Sequence, residues 1–105
     1  MTTFDNREQA FEKKHAHDEE LAFKVTARRN KLFGLWIAGE IGLSGDAADA
    51  YAKDVILADL EKAGDDDVIG KVTADLKAKG KDISEHRLRA KLTELAAEAQ
   101  KQLSA

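Results

Sequence analysis

The 105-residue chain contains no cysteine and no proline. Without cysteine there are no disulfides, thiolate nucleophiles or cysteine metal sites, and the lack of them fits a reducing compartment. Long apolar runs are missing too. The longest cluster, Leu35-Trp36-Ile37-Ala38, is far too short to span a bilayer, and the residues after Met1 include Asp5 and Glu8 with no apolar core of signal-peptide length. A soluble cytoplasmic protein with no direct membrane insertion is expected. Charge of one sign is also absent: 17 bases and 20 acids leave a net charge of -3, spread along the sequence. The strongest basic cluster, Arg28-Arg29-Asn30-Lys31, is short and has Glu19, Glu20 and Glu40 on its flanks. Binding to a phosphate backbone needs several well-placed cations, so nucleic acid is not expected as a partner.

Period-two alternation and runs of β-branched residues are absent as well, which leaves helices. One tract covers about 18–42, with Leu21, Val25, Leu32, Trp36 and Leu43 on or near one stripe and Phe33 and Ile37 broadening it. Gly42-Leu-Ser-Gly45 ends it, and Ser44 or Asp46 can cap the next helix, about 46–63, striped by Ala48, Tyr51, Ala52, Val55, Ile56 and Leu60. Ala63-Gly64 followed by Asp65, Asp66 and Asp67 reads as a glycine stop and an acidic start. A short helix over about 66–79 follows, buried through Val68, Ile69, Val72 and Leu76, and Gly80 closes it. Ser84 opens the last, about 84–103, whose ladder is Leu88, Leu92, Leu95, Ala99 and Leu103. That ladder can close an intramolecular bundle or form a dimer seam. The length suits one domain, and the expected class is all-α: a four-helix bundle-like domain with a flexible or helical N-terminal arm.

The arm is the unusual part. In residues 1–19, Phe4 and Phe11 stand seven apart on one stripe, while Arg7, Glu8, Glu12, Lys13, Lys14 and Asp18 cover most of the rest. Such a helix has too few apolar anchors for ordinary burial in its own fold. It is either built to be buried in a partner, or it is a solvated extension that docks loosely on its own domain. The stretch either joins the 18–42 tract or bends away from it around His15 to Asp18.

Chemistry finds little support. His15 and His17, at i and i+2 on a helix, diverge by about 200 degrees, and His86 is distant, so no metal site is expected. A pH-sensitive surface helix suits the histidines better. Asp65, Asp66 and Asp67 stand where capping and the helix dipole favour acids, with no second catalytic group opposite them. Gly70-Lys71 and Gly80-Lys81 lack the phosphate-loop context. No catalytic residue and no cofactor are assigned, and an enzyme would need a deep pocket with convergent polar groups. Trp36 and Tyr51 are read as packing residues.

Beyond these patterns, the ordered string Phe4-Asp-Asn-Arg-Glu8, Phe11-Glu12, Lys14, Ala16-His-Asp-Glu-Glu20, Phe23-Lys24, Ala27-Arg-Arg-Asn-Lys31 and Gly34-Leu-Trp36 closely resembles the zeta subunit family of alpha-proteobacterial F-type ATP synthases. The similarity continues through Tyr51-Ala52, Asp59, Asp67-Val68, Lys71-Val72 and Asp75-Leu76 into Arg87, Arg89 and Lys91, and so spans essentially the whole chain. It implies a four-helix domain, 20–105, with a mobile inhibitory arm, 1–19, that folds on entering the catalytic head of the synthase. There the arm wedges between head subunits near the central shaft and blocks rotation in the hydrolysis direction. The implied partners are the alpha, beta and gamma subunits of F1, and the implied location is the cytoplasm, peripheral to the inner membrane. On this reading Phe4 and Phe11 are the anchors, Arg7 and Lys14 pair with acids of the head, and Glu8 and Glu12 meet its basic groups. His15 and Asn6 depart from the family pattern, which bears on inhibitory strength. The alternative is a helical regulatory or nucleotide-sensing protein with a weak arm, weak or no inhibitory activity, and weak adenine nucleotide binding.

Overall fold

With no proline to interrupt it, the first helix runs far beyond the 18–42 tract. The computed structural model describes the backbone of residues 3–61 and 64–104 and the side chains of residues 19–59 and 64–104. Its elements are α1 (Thr3–Glu40), α2 (Gly45–Glu61), α3 (Asp65–Ala78) and α4 (Glu85–Ser104), and the described residues contain no strand. The N-terminal stretch therefore joins the tract: α1 has 38 residues, a rod about 57 Å long at 1.5 Å per residue. The whole chain measures 65 × 25 × 22 Å with a radius of gyration of 17.5 Å. A compact chain of this length would have about 13 Å, and the difference reflects α1 running past the other three helices.

Local signals set the helix ends. Gly42, at φ 83, takes the left-handed position that a side chain disfavours. It closes α1 in a Schellman motif: Leu43 N–H donates to the Ala38 carbonyl at 2.8 Å and Gly42 N–H to Gly39 at 3.3 Å. The same pair of bonds closes α3, from Lys81 to Leu76 at 2.9 Å and from Gly80 to Lys77 at 3.0 Å. Ser84 opens α4 as the sequence indicates, its Oγ accepting from Arg87 N–H at 3.2 Å. At α3 the expectation needs correction. Its first helical residue is Asp65 rather than Asp66, Gly64 occupies the N-cap, and no side chain caps it.

α1 is the spine, packed by both α2 and α4, while α3 leans mainly on α2. α4 runs antiparallel to α1: Arg28 Nη1 donates to Gln102 Oε1 at 3.2 Å, and Lys91 sits 5.3 Å over the Trp36 ring. The core gathers Phe33, Ile37 and Ala38 from α1, Tyr51 and Val55 from α2, Val68, Val72 and Leu76 from α3, and Leu88 and Leu92 from α4. The α3 and α4 stripes match the sequence pattern. The centre of the α1 face does not: Phe33 and Ile37 are fully buried, whereas Leu21, Val25, Leu32 and Trp36 are only half-buried. One position along a helix is a turn of about 100 degrees, so the buried face is rotated by one residue from the expected stripe. The reason is packing on two sides, by α2 and α4, with Trp36 lying under Lys91 while Phe33 fills the centre.

Candidate partner-binding site

All six residues assigned to partner binding from sequence, Phe4, Arg7, Glu8, Phe11, Glu12 and Lys14, fall on the early turns of α1. Their side chains lie outside the described residues, as do those of His15 and His17. The described surface nearest to them begins at Glu19. Glu20 pairs with Lys24 at 3.2 Å, an exposed i,i+4 ion pair that supports the helix by only a few tenths of a kcal/mol. Phe23, one residue before it, is 61 % exposed.

Behind Phe23 a cleft of about 470 Å3 opens between α1, the C-terminal part of α2 and the start of α3. Ala22, Phe23, Thr26 and Ile56 supply its apolar lining, and Asn30 and Asp59 are among its polar residues. Sequence reading missed this cleft, because it is made by residues some thirty positions apart, although Phe23 and Asp59 both stood in the string that carries the family resemblance.

The wall toward α3 is an ion-paired seam. Arg29 Nη2 donates to Asp65 Oδ1 at 2.9 Å, and its Nε and Nη2 donate to Asn30 Oδ1 at 3.1 and 2.9 Å. Asn30 is only 1 % exposed, so this fork satisfies a polar group that would otherwise be costly to bury. On the other side of α3, Arg89 Nη2 reaches Asp66 Oδ1 at 2.6 Å and Glu85 Oε1 at 2.9 Å. The hydrogen bonds to Asp66 and then Glu85 hold the Arg89 guanidinium still more firmly protonated than usual. Two of the three first-turn acids of α3 thus tie it to α1 and α4, a role beyond the helix-dipole one read from sequence. The basic cluster 28–31 is correspondingly not a free patch, since Arg28 and Arg29 have partners on other helices.

A second polar cluster joins α2 to α3. The Tyr51 hydroxyl donates to Asp75 Oδ2 at 2.8 Å, Lys71 Nζ donates to the same oxygen at 3.1 Å, and Lys71 lies 5.1 Å over the Tyr51 ring. Burial first, then the bond to Asp75 and that carboxylate's charge, push the Tyr51 phenol far above its ordinary range. His86 sits exposed in the first turn of α4, and among the described residues no group of three histidines, aspartates or glutamates converges as a metal would require.

The class defined by this geometry is an all-helical bundle in which three short helices pack along one long helix. The family follows from comparison. Residues 1–102 match the sequence profile of the ATPase inhibitor subunit zeta family, and the chain belongs to that family. It is accordingly an ATPase inhibitor subunit and not an enzyme. Among solved structures, one determined by solution NMR is 51 % identical, covers 78 % of this chain and 93 % of its own, and superposes with a TM-score of 0.69. No curated protein matches significantly. Among the described residues no helix is long and apolar enough to cross a membrane.

Proposed function

We propose that this chain inhibits ATP hydrolysis by the F1 head of a bacterial, and specifically alpha-proteobacterial, ATP synthase. Residues 1–19 enter a catalytic interface between alpha and beta subunits beside the gamma shaft and block rotation in the hydrolysis direction. Residues 20–105 form the domain that carries the arm and remains outside. The protein is cytoplasmic and becomes peripheral to the inner membrane when bound. The observation that carries this reading is the division of α1: among the described side chains the buried core lies between Asn30 and Ala99, so residues 19–29 contribute none of it, while the helix itself starts at Thr3. The family match includes the arm, since it begins at residue 1.

In this mechanism the arm acts by steric occupation. Phe4 and Phe11 are the apolar anchors, Arg7 and Lys14 pair with carboxylates of the head, and Glu8 and Glu12 pair with its basic groups. Ordering such a segment costs free energy that contacts made only in the complex offset, and buried aromatics generally contribute most at such interfaces. The cleft behind Phe23 gives little support to nucleotide sensing. Its arginine, Arg29, already pairs with Asp65, and Asp59 and Asp65 would repel a polyphosphate.

The test is ATP hydrolysis by purified alpha-proteobacterial F1 with added protein. The full chain should inhibit saturably. A chain lacking residues 1–19 should keep its helix-bundle melting transition and lose inhibition. Replacing both Phe4 and Phe11 by alanine should abolish inhibition without altering the fold. Inhibition that survives both changes would refute the arm mechanism, and saturable ATP or ADP shifts in the cleft would then favour the nucleotide-sensing role.

A further inference from the structure

Phe23 and Leu57 are the two large apolar side chains most exposed on the described surface, at 61 % and 55 %. Single exposed apolar residues are ordinary on a monomer, and Leu57, outside the cleft lining, needs no explanation. Phe23 differs in three respects. It borders a concave apolar surface shared with Ala22, Thr26 and Ile56. The same cleft holds Asp59, half-buried, and no ion pair joins that carboxylate to a cation among the described residues. Finally, Phe23 stands on the same unbroken helix as the arm, four residues past Glu19, an axial step of about 6 Å.

That last distance bears on the occupant. A stable protein interface covers about 800 Å2 on each partner, a patch much wider than one helical turn. A head that reaches the last turn of residues 1–19 lies within about one helical turn of Phe23 on the same helix. We infer that the cleft behind Phe23 is a second contact for the same ATPase head, receiving an apolar side chain against Phe23 and Ile56 and a lysine or arginine beside Asp59. This rests on the reading of residues 1–19 as the inhibitory arm. The cleft contact sets how deeply the arm seats and adds affinity that the arm alone lacks, because in the complex both contacts form on one continuous helix.

The cysteine-free chain gives a direct probe. Phe23→Cys in the full chain, labelled with an environment-sensitive thiol dye, should change emission on titration with F1. In hydrolysis assays Phe23→Ala should raise the half-inhibiting concentration about tenfold, the scale of a lost aromatic anchor. Asp59→Lys should weaken inhibition further at low salt than at high salt, and Leu57→Ala should inhibit as the parent chain does. If Phe4→Ala/Phe11→Ala abolishes inhibition while Phe23→Ala and Asp59→Lys inhibit normally, the cleft contact is wrong and the arm mechanism stands. If the double variant still inhibits while Phe23→Ala is weakened, the arm mechanism is wrong and the head contacts the cleft. A dye response that grows with the concentration of the labelled chain alone, without F1, would place a second copy in the cleft and overturn the proposal.

Discussion

Replacing Gly34 by alanine sets two effects of opposite sign against each other. In an exposed helix interior, Gly→Ala stabilises by about 1 kcal/mol, since alanine loses less backbone entropy on folding. At Gly34 a Cβ would lie 2.7 Å from Ala52 Cα, 3.2 Å from Ala52 Cβ and 3.3 Å from Val55 Cβ. The closest of these is backbone, so α2 itself must move away from α1 along their main contact. Overpacking of a close-packed site costs about 1–3 kcal/mol, and backbone displacement places this site in the upper part of that range. The expected net effect is a loss of about 1–2 kcal/mol, or about 4–8 °C in Tm per kcal/mol for a domain of this size. Gly70 is the internal control: it is helical, exposed, and a Cβ there meets nothing within 4 Å, so Gly70→Ala should stabilise by about 0.5–1 kcal/mol. Thermal and urea melts followed by far-UV circular dichroism measure both. A Gly34→Ala chain as stable as the parent, alongside a stabilised Gly70→Ala chain, would refute the claim that the α1–α2 crossing is held at contact distance.

Other substitutions probe the polar seams and the core. Arg29→Ala removes the fork on Asn30 Oδ1 and leaves that oxygen buried without its donor, so urea melts should show a loss of about 2 kcal/mol, whereas Arg89→Ala, on exposed partners, should shift the midpoint far less. Leu76→Ala, at a fully buried site, should cost about 2–5 kcal/mol, read as a lower urea midpoint. Tyr51 makes stability fall at alkaline pH: its folded pKa is raised, so its contribution is complete below about pH 10, the unfolded value, and is lost as pH climbs beyond that, when the unfolded chain releases the proton more easily. Tyr51→Phe should flatten that alkaline decline at a cost of about 1 kcal/mol near neutrality. With one tyrosine in the chain, phenolate absorbance that appeared near pH 10 with full helix content would show the phenol not to be held by the fold.

The helix count and the α3 and α4 faces were legible because their signals are local. Gly42 and Gly80 act through backbone conformation, Ser84 through a bond three residues away, and Leu88 through its spacing from Leu92. The α1 face was misjudged by one residue because α1 is packed on more than one side, and a periodic stripe encodes only the average direction of burial. Asn30 was unreadable as a core residue, since its burial depends on Arg29 beside it and Asp65 across the bundle. The same limit hid the true role of the α3 acids, whose partners Arg29 and Arg89 lie on other helices. The arm stood out by what it lacks, a sufficient apolar stripe, whereas the cleft behind Phe23 could not, because Ile56 and Asp59 reach it only through the α1–α2 hairpin.

The continuity of α1 also fixes a rotational phase. Along one helix from Thr3 to Glu40, the direction in which the arm presents any side chain is tied to the direction in which the bundle sits, residue by residue. Inserting a single alanine between Glu20 and Phe23 would swing one half about 100 degrees relative to the other and lengthen the rod by about 1.5 Å, whereas four alanines would lengthen it by about 6 Å and leave it about 40 degrees out of phase. The body of the protein is therefore aimed by its own arm: wherever the first turns are held, the azimuth of the bundle around that axis is already decided.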